Sequence, residues 1–418
     1  GLEGFFVGDT YYGIVGNGLQ PGFQNSLDIQ YVNGSANPPA PPARFANQTG
    51  DWSNNDRLTG VTHIWVSYKV NDKIWTTGRP TFRFVLRGKR MYDPRKDGTV
   101  PGGAGTHRWT DPSTYEWSEN PQVCRYNWVR GIFAGDQMDK PEQLLLGRGL
   151  TAVEAPPERI FAAANVCDEA VPLRGGLTEK RYIVGGVIRA DETFDTTENM
   201  FAAAQAGVIV QREGGVEIEP GQGKAVVVEI TDKDLVVGEK VQFERFQSTT
   251  QRVNTVIARY VAPEQKWSDH AAPVRRSLAD VTADGGPNVE EIPLSLVTRG
   301  TQAQRCAEIT RRLGRLERRA TIVLPPRFAG LEEGDWIGWT SERWQGGARV
   351  VYRVEAWSRA PSWRKTLALR EVSSSAFTWT ADDEIVPGSS PPPERPAPAA
   401  LSLGAVSITP GSRVGEDG

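Results

Sequence analysis

The sequence has 418 residues, of which 39% are hydrophobic and 24% charged, as is typical of folded protein with roughly two to four domains. The formal net charge of −3 at pH 7 gives no overall attraction to nucleic acid or to an anionic membrane. No apolar run of about 18 residues is present, so the sequence predicts no membrane-spanning helix.

The three cysteines, Cys124, Cys167 and Cys306, lie far apart in the sequence. Their odd number and wide spacing argue against a disulfide framework and predict buried free thiols. The chain begins at Gly1 rather than Met and ends in Gly- and Pro-rich sequence. We therefore expect a segment of a longer polypeptide or a processed product.

The first 92 residues predict a β-rich domain. Apolar and polar residues alternate over residues 4–15 and 61–69, and residues 81–86 form a third short run of this kind. A period of two is typical of strands that bury one face. The intervening residues 33–55 are rich in Pro, Asn and Gly, and the prolines within 38–42 exclude a helix there.

A long turn-rich stretch covers residues 93–120, in which Gly, Pro, Asp and Ser recur. Structureless stretches of this length are uncommon inside a compact domain and usually carry contacts. We expect this stretch to join the first β domain to the next unit. Its length favours contacts between subunits over chemistry.

Helix and hairpin signals follow. A short helix is predicted over residues 126–133, and a second one begins at Pro157, a favourable first position. Asp195 is interpreted as the N-cap of a third helix, with Glu198 completing a capping box. A Gly-Gly pair within residues 208–219 separates two short apolar runs and predicts a tight hairpin. Together, residues 93–225 are predicted to form a long loop plus an α+β unit.

The β pattern returns over residues 226–380. Strands are predicted at residues 225–230, 240–246, 255–260, 320–324, 336–339, 349–357 and 365–371, with one long helix at 301–319. Short strands separated by turn residues predict a small β-barrel or sandwich. Residues 381–418 are Pro-rich and predict a linker and the start of a further module. The predicted fold class is therefore α+β: a β-rich, multi-domain chain with an α+β unit between two β domains.

The sequence contains no pattern that predicts catalysis, metal binding or a cofactor. His63, His107 and His270 have no metal-ligand spacing to a neighbour. The segment 221–225 lacks the spacer and hydroxyl residue of a phosphate-binding loop and is interpreted as a hairpin turn. The adjacent carboxylate pairs at 290–291, 332–333 and 382–383 lie in turn-like sequence, where solvated side chains are the usual outcome. We expect no catalytic, cofactor-binding or metal-binding residue and a protein that is not an enzyme.

Two residue clusters leave alternatives open. The predicted helix 301–319 and its end carry six arginines: Arg305, Arg311, Arg312, Arg315, Arg318 and Arg319. They form either a solvated face with packed side-chain stems or a contact surface for nucleic acid or acidic subunits. Five of the 13 tryptophans lie in the last β region: Trp336, Trp339, Trp344, Trp357 and Trp363. They indicate core and interface packing or, alternatively, a platform for carbohydrate.

A series of motifs resembles the tail tip attachment proteins of long-tailed phages. The residues Leu86 to Arg95, containing Tyr92-Asp93-Pro94-Arg95, are followed by Trp117-Ser118-Glu119-Asn120-Pro121. The other matching segments, in chain order, are 163–168, 179–182 with the glycine at 185 or 186, 198–206, 301–305, 333–335 and 366–378. This ordered series is similar to the lambda-type host-specificity proteins, also called central tail hubs in related phages, prophages and gene transfer agents. The long Gly-rich stretch between Arg95 and Trp117, and Gln122 after Pro121, depart from the family pattern.

The resemblance implies a structural role without a cofactor. Hub proteins form a trimeric ring of small β domains at the distal tip of the tail in the virion, where they close the tail tube. The implied partners are further copies of the chain, the distal tail protein and tail tube, the tape measure protein, and receptor-binding or fibre proteins. Contact with the host receptor would run through a distal extension, and genomic DNA would only pass through. A tail-associated cell-wall hydrolase or a carbohydrate-binding module is the alternative.

Overall fold

The computed structural model describes residues 1–34, 37–42, 53–70, 73–75, 78–134, 138–212, 214–248 and 252–386. No helix in these ranges is long and apolar enough to cross a membrane. Parts of the predicted loop 33–55 and of the segment 381–418, including all of 387–418, lie outside the described residues.

Two small antiparallel sheets form the N-terminal part, with strand orders β2-β1-β6 and β3-β4-β5. The strands are β1 (Leu2–Val7), β2 (Thr10–Gly13), β3 (Gly18–Leu19), β4 (Leu27–Asn33), β5 (Thr62–Tyr68) and β6 (Phe82–Leu86). Phe5, Phe23, Leu27, Ile29 and Trp75 form their shared core. The three predicted strand regions are confirmed; β4 is an addition that fills the sheet between β3 and β5.

The turn-rich stretch is compact although it contains no long strand. Two 3-10 turns, Pro94–Lys96 and Pro112–Thr114, are joined by isolated bridges such as Met91 to Glu116. Tyr92 and Tyr115 are buried against Tyr126 and Ile160 of the following unit. The stretch is therefore packed onto its own chain. Contacts with other subunits remain a prediction.

The middle of the chain is α+β. Its elements are α1 (Pro121–Arg130), β7 (Ile132–Phe133), β8 (Leu144–Leu146), α2 (Phe161–Asp168), β9 (Ala170–Pro172), β10 (Thr178–Lys180), α3 (Phe194–Ala204), β11 (Val208–Arg212) and β12 (Gly215–Glu219). The predicted hairpin is confirmed as β11–β12, with Gly214 at a φ of 80° that glycine adopts without strain.

Two helix starts differ from the prediction. Helix α1 begins at Pro121, five residues before the expected 126, because Asn120 caps it. Helix α3 is capped by Thr193, whose side chain accepts the Thr196 N–H, so the assignment of Asp195 as N-cap was wrong. Glu198 makes no capping box. It is buried and forms an ion pair with Arg125, with 2.7 Å between Oε2 and Nε.

The C-terminal part contains two further sheets and three helices. Its elements are β13 (Val228–Thr231), β14 (Gln242–Glu244), β15 (Thr255–Ala262), β16 (Ser268–Ala271), β17 (Arg275–Arg276), α4 (Leu278–Ala283), β18 (Val289–Leu294), α5 (Gly300–Gly314), β19 (Arg319–Leu324), β20 (Trp336–Thr340), α6 (Glu342–Gln345), β21 (Arg349–Arg359) and β22 (Lys365–Glu371). Helix α5 ends at Gly314 rather than at the predicted 319; Arg315 is its C-cap, and Arg319 is the first residue of β19.

The six-stranded sheet has the order β13-β20-β21-β22-β19-β14 and stays open within the described residues, so the expected barrel is not closed. The second sheet is centred on β15, with β16 and β17 on one side and a parallel β18 on the other. The β-rich α+β class is confirmed. The segment 221–225 is no hairpin turn, since it connects β12 to β13 in a different sheet.

The largest hydrophobic core spans the middle of the chain and the β15 sheet. It includes Trp128, Phe201, Tyr260, Leu294 and Cys306, so it lies on both sides of residue 225. A second core, with Ile322, Trp339 and Tyr352, belongs to the six-stranded sheet. The predicted units 1–92, 93–225, 226–380 and 381–418 remain predictions.

Replacing Trp339 with Ala should lower the free energy of unfolding by about 3–5 kcal/mol, because its fully buried ring is surrounded by core side chains. The matched change Trp363→Ala should cost less than about 1 kcal/mol, since that ring is 56% exposed. Urea titrations followed by circular dichroism measure both. Equal losses in the two variants would contradict this description of the core.

Candidate functional site

The residues that carried the family resemblance converge on one polar network around Arg95. Its guanidinium donates to both carboxylate oxygens of Asp93, at 3.0 Å from Nε and 2.8 Å from one terminal nitrogen. The other terminal nitrogen donates to Asn165 at 2.8 Å, and an ion pair to Asp168 spans 2.9 Å. Burial opposes the charge, but the hydrogen bonds and charges of Asp93 and Asp168 raise the pKa of Arg95. This side chain thus ties the turn-rich stretch to helix α2.

Asp168, the last residue of α2, is contacted by side chains from three other segments of the chain. Besides Arg95, it accepts from Lys180 of β10 at 2.7 Å and from the amide of Asn120 at 2.9 Å. Burial favours its neutral form, yet the contacts with Lys180 and Arg95 dominate and hold its pKa below the ordinary value. Asp168 therefore stays ionised and joins α1, α2 and β10.

The local folds that position this network share one device, an Asp or Asn followed by Pro. Three residues, Asp93, Asp111 and Asn120, each directly precede a proline that begins a helical turn. The side chain of each accepts a backbone N–H of that turn. Proline suits the first position because it has no N–H to leave unpaired, while the Asp or Asn oxygen satisfies an N–H further on. Asn120 also donates to the Ala164 carbonyl at 2.8 Å.

An aromatic layer lies beside the network. The ring of Tyr92 contacts those of Trp109, Tyr115 and Tyr126, with centroids 5.5, 5.7 and 6.2 Å apart. The Arg130 guanidinium stacks 4.1 Å from the Trp109 ring. Tyr92 donates to Asp97 at 2.7 Å, and its backbone N–H and carbonyl both pair with the Asn127 amide. These contacts explain how a stretch without strands holds one conformation.

His107 is buried next to a polar cavity of about 190 Å³. Its Nδ1 accepts the Asp93 N–H at 3.1 Å, so the neutral ring carries its proton on Nε2. Burial lowers the pKa of His107 and favours that neutral form. The Glu116 Oε2 atom is 4.0 Å from Nε2 and forms a hydrogen-bonded ion pair with Lys96 instead. The nitrogen that would act as a base thus accepts a backbone N–H, and this arrangement anchors the chain rather than abstracting a proton.

A second network joins two more of the resembling segments. Arg305 of α5 is fully buried and contacts Glu179 of β10 through both terminal nitrogens at 3.1 Å. It also donates to the Arg181 carbonyl at 2.6 Å, while Thr301 donates to Glu179 at 2.8 Å. Leaving this guanidinium without a carboxylate would cost several kcal/mol, roughly 3–5, so the pair fixes α5 against β10.

Four more arginines of the predicted helix 301–319 also form ion pairs within the chain. Glu308 contacts Arg275, Arg311 and Arg312, with N···O distances of 3.0, 2.6 and 2.7 Å. The remaining pairs are Arg311 with Asp280, Arg312 with Asp383, Arg315 with Asp280 and Asp284, and Arg318 with Glu371. These guanidinium groups are internal cross-links, so the helix is neither a simple solvated face nor a free basic surface.

The other candidates are dispersed. Trp339 is buried and Trp344 half-buried in the core of the six-stranded sheet, and Trp336 is buried in a separate cluster with Ile309 and Phe377. Trp357 and Trp363 are exposed. His63 packs against Trp65 and His270 against Tyr260. The three thiols are free, as predicted, and burial raises the pKa of Cys124 and Cys306 to about 12. Among the described residues, no group of three His, Cys, Asp or Glu side chains has the arrangement of a metal site.

Sequence reasoning missed several residues of these networks. The three Asp-Pro and Asn-Pro dipeptides were a usable helix-start signal. Glu179 and Arg305 are 126 positions apart, so no local pattern reports their contact. The buried glutamines Gln122, Gln205 and Gln302, which bridge backbone segments, resemble ordinary surface residues in the sequence.

Comparison with known proteins supports the resemblance to phage tail proteins. Residues 199–357 match the family model described as putative phage tail protein. No curated protein matches the chain. Among solved structures, a chain of the virion of a native gene transfer agent particle is similar, with a TM-score of 0.55 and 18% identity over 90% of this chain and 76% of that chain. The family match supports a phage tail protein, and the likeness to the virion chain shows a shared fold.

Lower similarity extends to two tail proteins of known structure. The tail protein from Neisseria meningitidis has a TM-score of 0.34 and 13% identity, covering 55% of this chain and 69% of that chain. A prophage tail protein from Listeria monocytogenes has a TM-score of 0.28 and 12% identity, covering 48% of this chain and 58% of that chain.

The change Arg95→Gln should destabilise the chain by about 3 kcal/mol, because it leaves Asp93 and Asp168 without their central cation. Lys96→Gln is the matched control. Its ion pair with Glu116 is more than half exposed, and its loss should cost at most about 1 kcal/mol. Urea titration measures both. In a double-mutant cycle with Asp168→Asn, strict additivity would show that Arg95 and Asp168 are not coupled.

Acid should destabilise the α5 network. Burial opposes ionisation of Glu308, but Arg311 and Arg275 outweigh it and lower its pKa to about 2. This value lies below that of an unfolded glutamate, about 4.3, so the stabilisation is complete above that pH and is lost as the pH falls towards 2. The shift corresponds to about 3 kcal/mol.

We therefore expect the stability difference between the wild-type chain and Glu308→Gln to shrink between pH 5 and pH 2.5. Chemical denaturation at several pH values measures this difference. Glu239→Gln is the control, because that exposed carboxylate forms a surface ion pair with Arg364 and its removal should leave the pH dependence unchanged. A wild-type pH profile in Glu308→Gln would refute the assignment.

Proposed function

We propose that the chain is a structural subunit of a phage or phage-like tail, positioned in the hub at the distal tip. There it closes the tail tube and connects it to receptor-binding parts during host attachment and DNA delivery. The observation that carries this proposal is the match of residues 199–357 to the phage tail family model, combined with a fold shared over 90% of the chain with a gene transfer agent virion chain. The more specific placement at the tail tip rests on the ordered series of motifs that resembles the tail tip attachment proteins.

The electrostatics of the chain suit a passage for DNA. Contacts between cationic side chains and phosphates dominate nucleic-acid affinity, and a basic lining would retain DNA in transit. Five of the six arginines at 301–319 have carboxylate partners within the chain. They are therefore not available as a phosphate-binding surface, which supports transit without retention.

The alternatives have less support. A carbohydrate platform at Trp339 or Trp344 is disfavoured because these rings pack in the core of the six-stranded sheet. A hydrolase requires an acid–base pair or a metal on rigid elements. The carboxylates of buried Glu198 and Glu308 and of half-buried Asp168 are instead each held by arginine. These observations support a structural role.

The proposed partners are those of a hub: further copies in a closed ring of three, the distal tail protein, the tail tube, the tape measure protein and the receptor-binding or fibre proteins. Cyclic assembly of identical chains brings two different surfaces of each copy together. Host contact would run through a distal extension, with genomic DNA only in transit.

The oligomeric state tests this proposal. Native mass spectrometry of the purified chain, alone and mixed with the distal tail protein from the same genome, should give a species of three copies. Labelling the chain in assembled particles should mark the tail tip by electron microscopy. The proposal would be overturned if the chain remained a monomer even when mixed with the distal tail protein. A lytic band on a peptidoglycan zymogram would also overturn it.

A further inference from the structure

A second cavity, of about 540 Å³, lies where α3, α5, β18 and the six-stranded sheet meet. It is separate from the Arg95 network and shares only part of its lining, such as Glu371, with the contacts described above. Apolar side chains form much of its lining: Val253, Ile292, Leu294, Ile309, Leu313 and Val372. A space of this size accommodates a few amino-acid side chains and favours apolar groups along these residues.

Arginines from the six-stranded sheet line another side of this cavity. The Arg353 side chain is only 14% exposed and contacts Glu355 at 3.3 Å. Its Nε is buried and has no hydrogen-bond partner within the described part of the chain. Arg370 is 3.7 Å from the same Glu355 oxygen. Two guanidinium groups thus share a single carboxylate.

The carboxylates in the lining do not complete this arrangement. Glu371 is held by Arg318, through its guanidinium at 2.7 Å and its backbone N–H at 3.0 Å. Glu290 belongs to β18, in the other sheet. Gln247 supplies a second lining donor, Nε2, that is buried and unpaired among the described residues. Buried donors without partners carry a desolvation cost, which a bound acceptor would remove.

We propose that this cavity binds an acidic peptide segment of a partner protein. Its carboxylate would contact Arg353 and Arg370, an adjacent aliphatic side chain would pack against Ile309 and Leu313, and Gln247 would donate to a carbonyl. A guanidinium pair suits a carboxylate because its planar N–H groups match two oxygens. A peptide fits better than a simple amphiphile because, among the described strands, β18 pairs with β15 alone, which leaves its other edge for backbone hydrogen bonds.

Fluorescence anisotropy with two labelled probe peptides tests the proposal on the full chain. The first peptide has the sequence Leu-Glu-Val-Leu with blocked ends, and the second has Gln in place of Glu. We expect the Glu peptide to bind at least fivefold more tightly. Arg353→Gln and Arg370→Gln should each abolish this preference, and Arg349→Gln should retain it, because that arginine pairs with exposed Glu229 outside the cavity.

Circular dichroism of each variant separates loss of binding from loss of folding. If Arg353→Gln does not fold, Arg370→Gln alone tests the proposal, because the Arg370 side chain is 32% exposed and its replacement should be tolerated. Equal binding of the two peptides, binding of neither, or displacement of the Glu peptide by decanoate at equal concentration would overturn the assignment. These results do not depend on the tail-tip proposal, since native mass spectrometry measures copy number and anisotropy measures peptide binding.

Discussion

The structure depends on pairing guanidinium groups with carboxylates inside the chain. A buried arginine is tolerated only when its charge and N–H groups are satisfied, so each such residue determines which elements lie next to it. Arg95 joins the turn-rich stretch to α2, Arg125 joins α1 to α3, and Arg305 joins α5 to β10. The small sheets contribute separate hydrophobic cores, and these pairs fix how the cores are connected.

This constraint also explains why so many ionisable groups form no evident reaction centre in the part of the chain that the structure describes. Catalytic acids and bases are usually poised near neutral pH. Here the contacts favour ionised Asp168 and Glu308, and burial favours neutral His107. The motifs that suggested the tail family belong largely to these networks. The residues that carry the resemblance therefore hold elements of the same chain together.

Local sequence predicted the elements well where a short-range signal was present. The strands β1, β5, β15 and β19 to β22, and the β11–β12 hairpin, follow from alternation and from a Gly-Gly turn. The sequence failed where two local signals competed, as at Thr193 and Asp195, or where arginine-rich sequence continued past the end of a helix, as from Arg315 to Arg319. The open edge of the six-stranded sheet and the Arg95 and Arg305 networks depend on contacts between distant residues, which periodicity does not report.

The open six-stranded sheet has a consequence for solubility. Its edge strands, β13 and β14, have four and three residues, whereas the central β21 has eleven. A short edge offers few backbone groups to an incoming strand, so ribbon-like stacking of sheets between molecules gains little. The two short edges of this sheet therefore give the chain little tendency to form fibrils by strand addition between molecules.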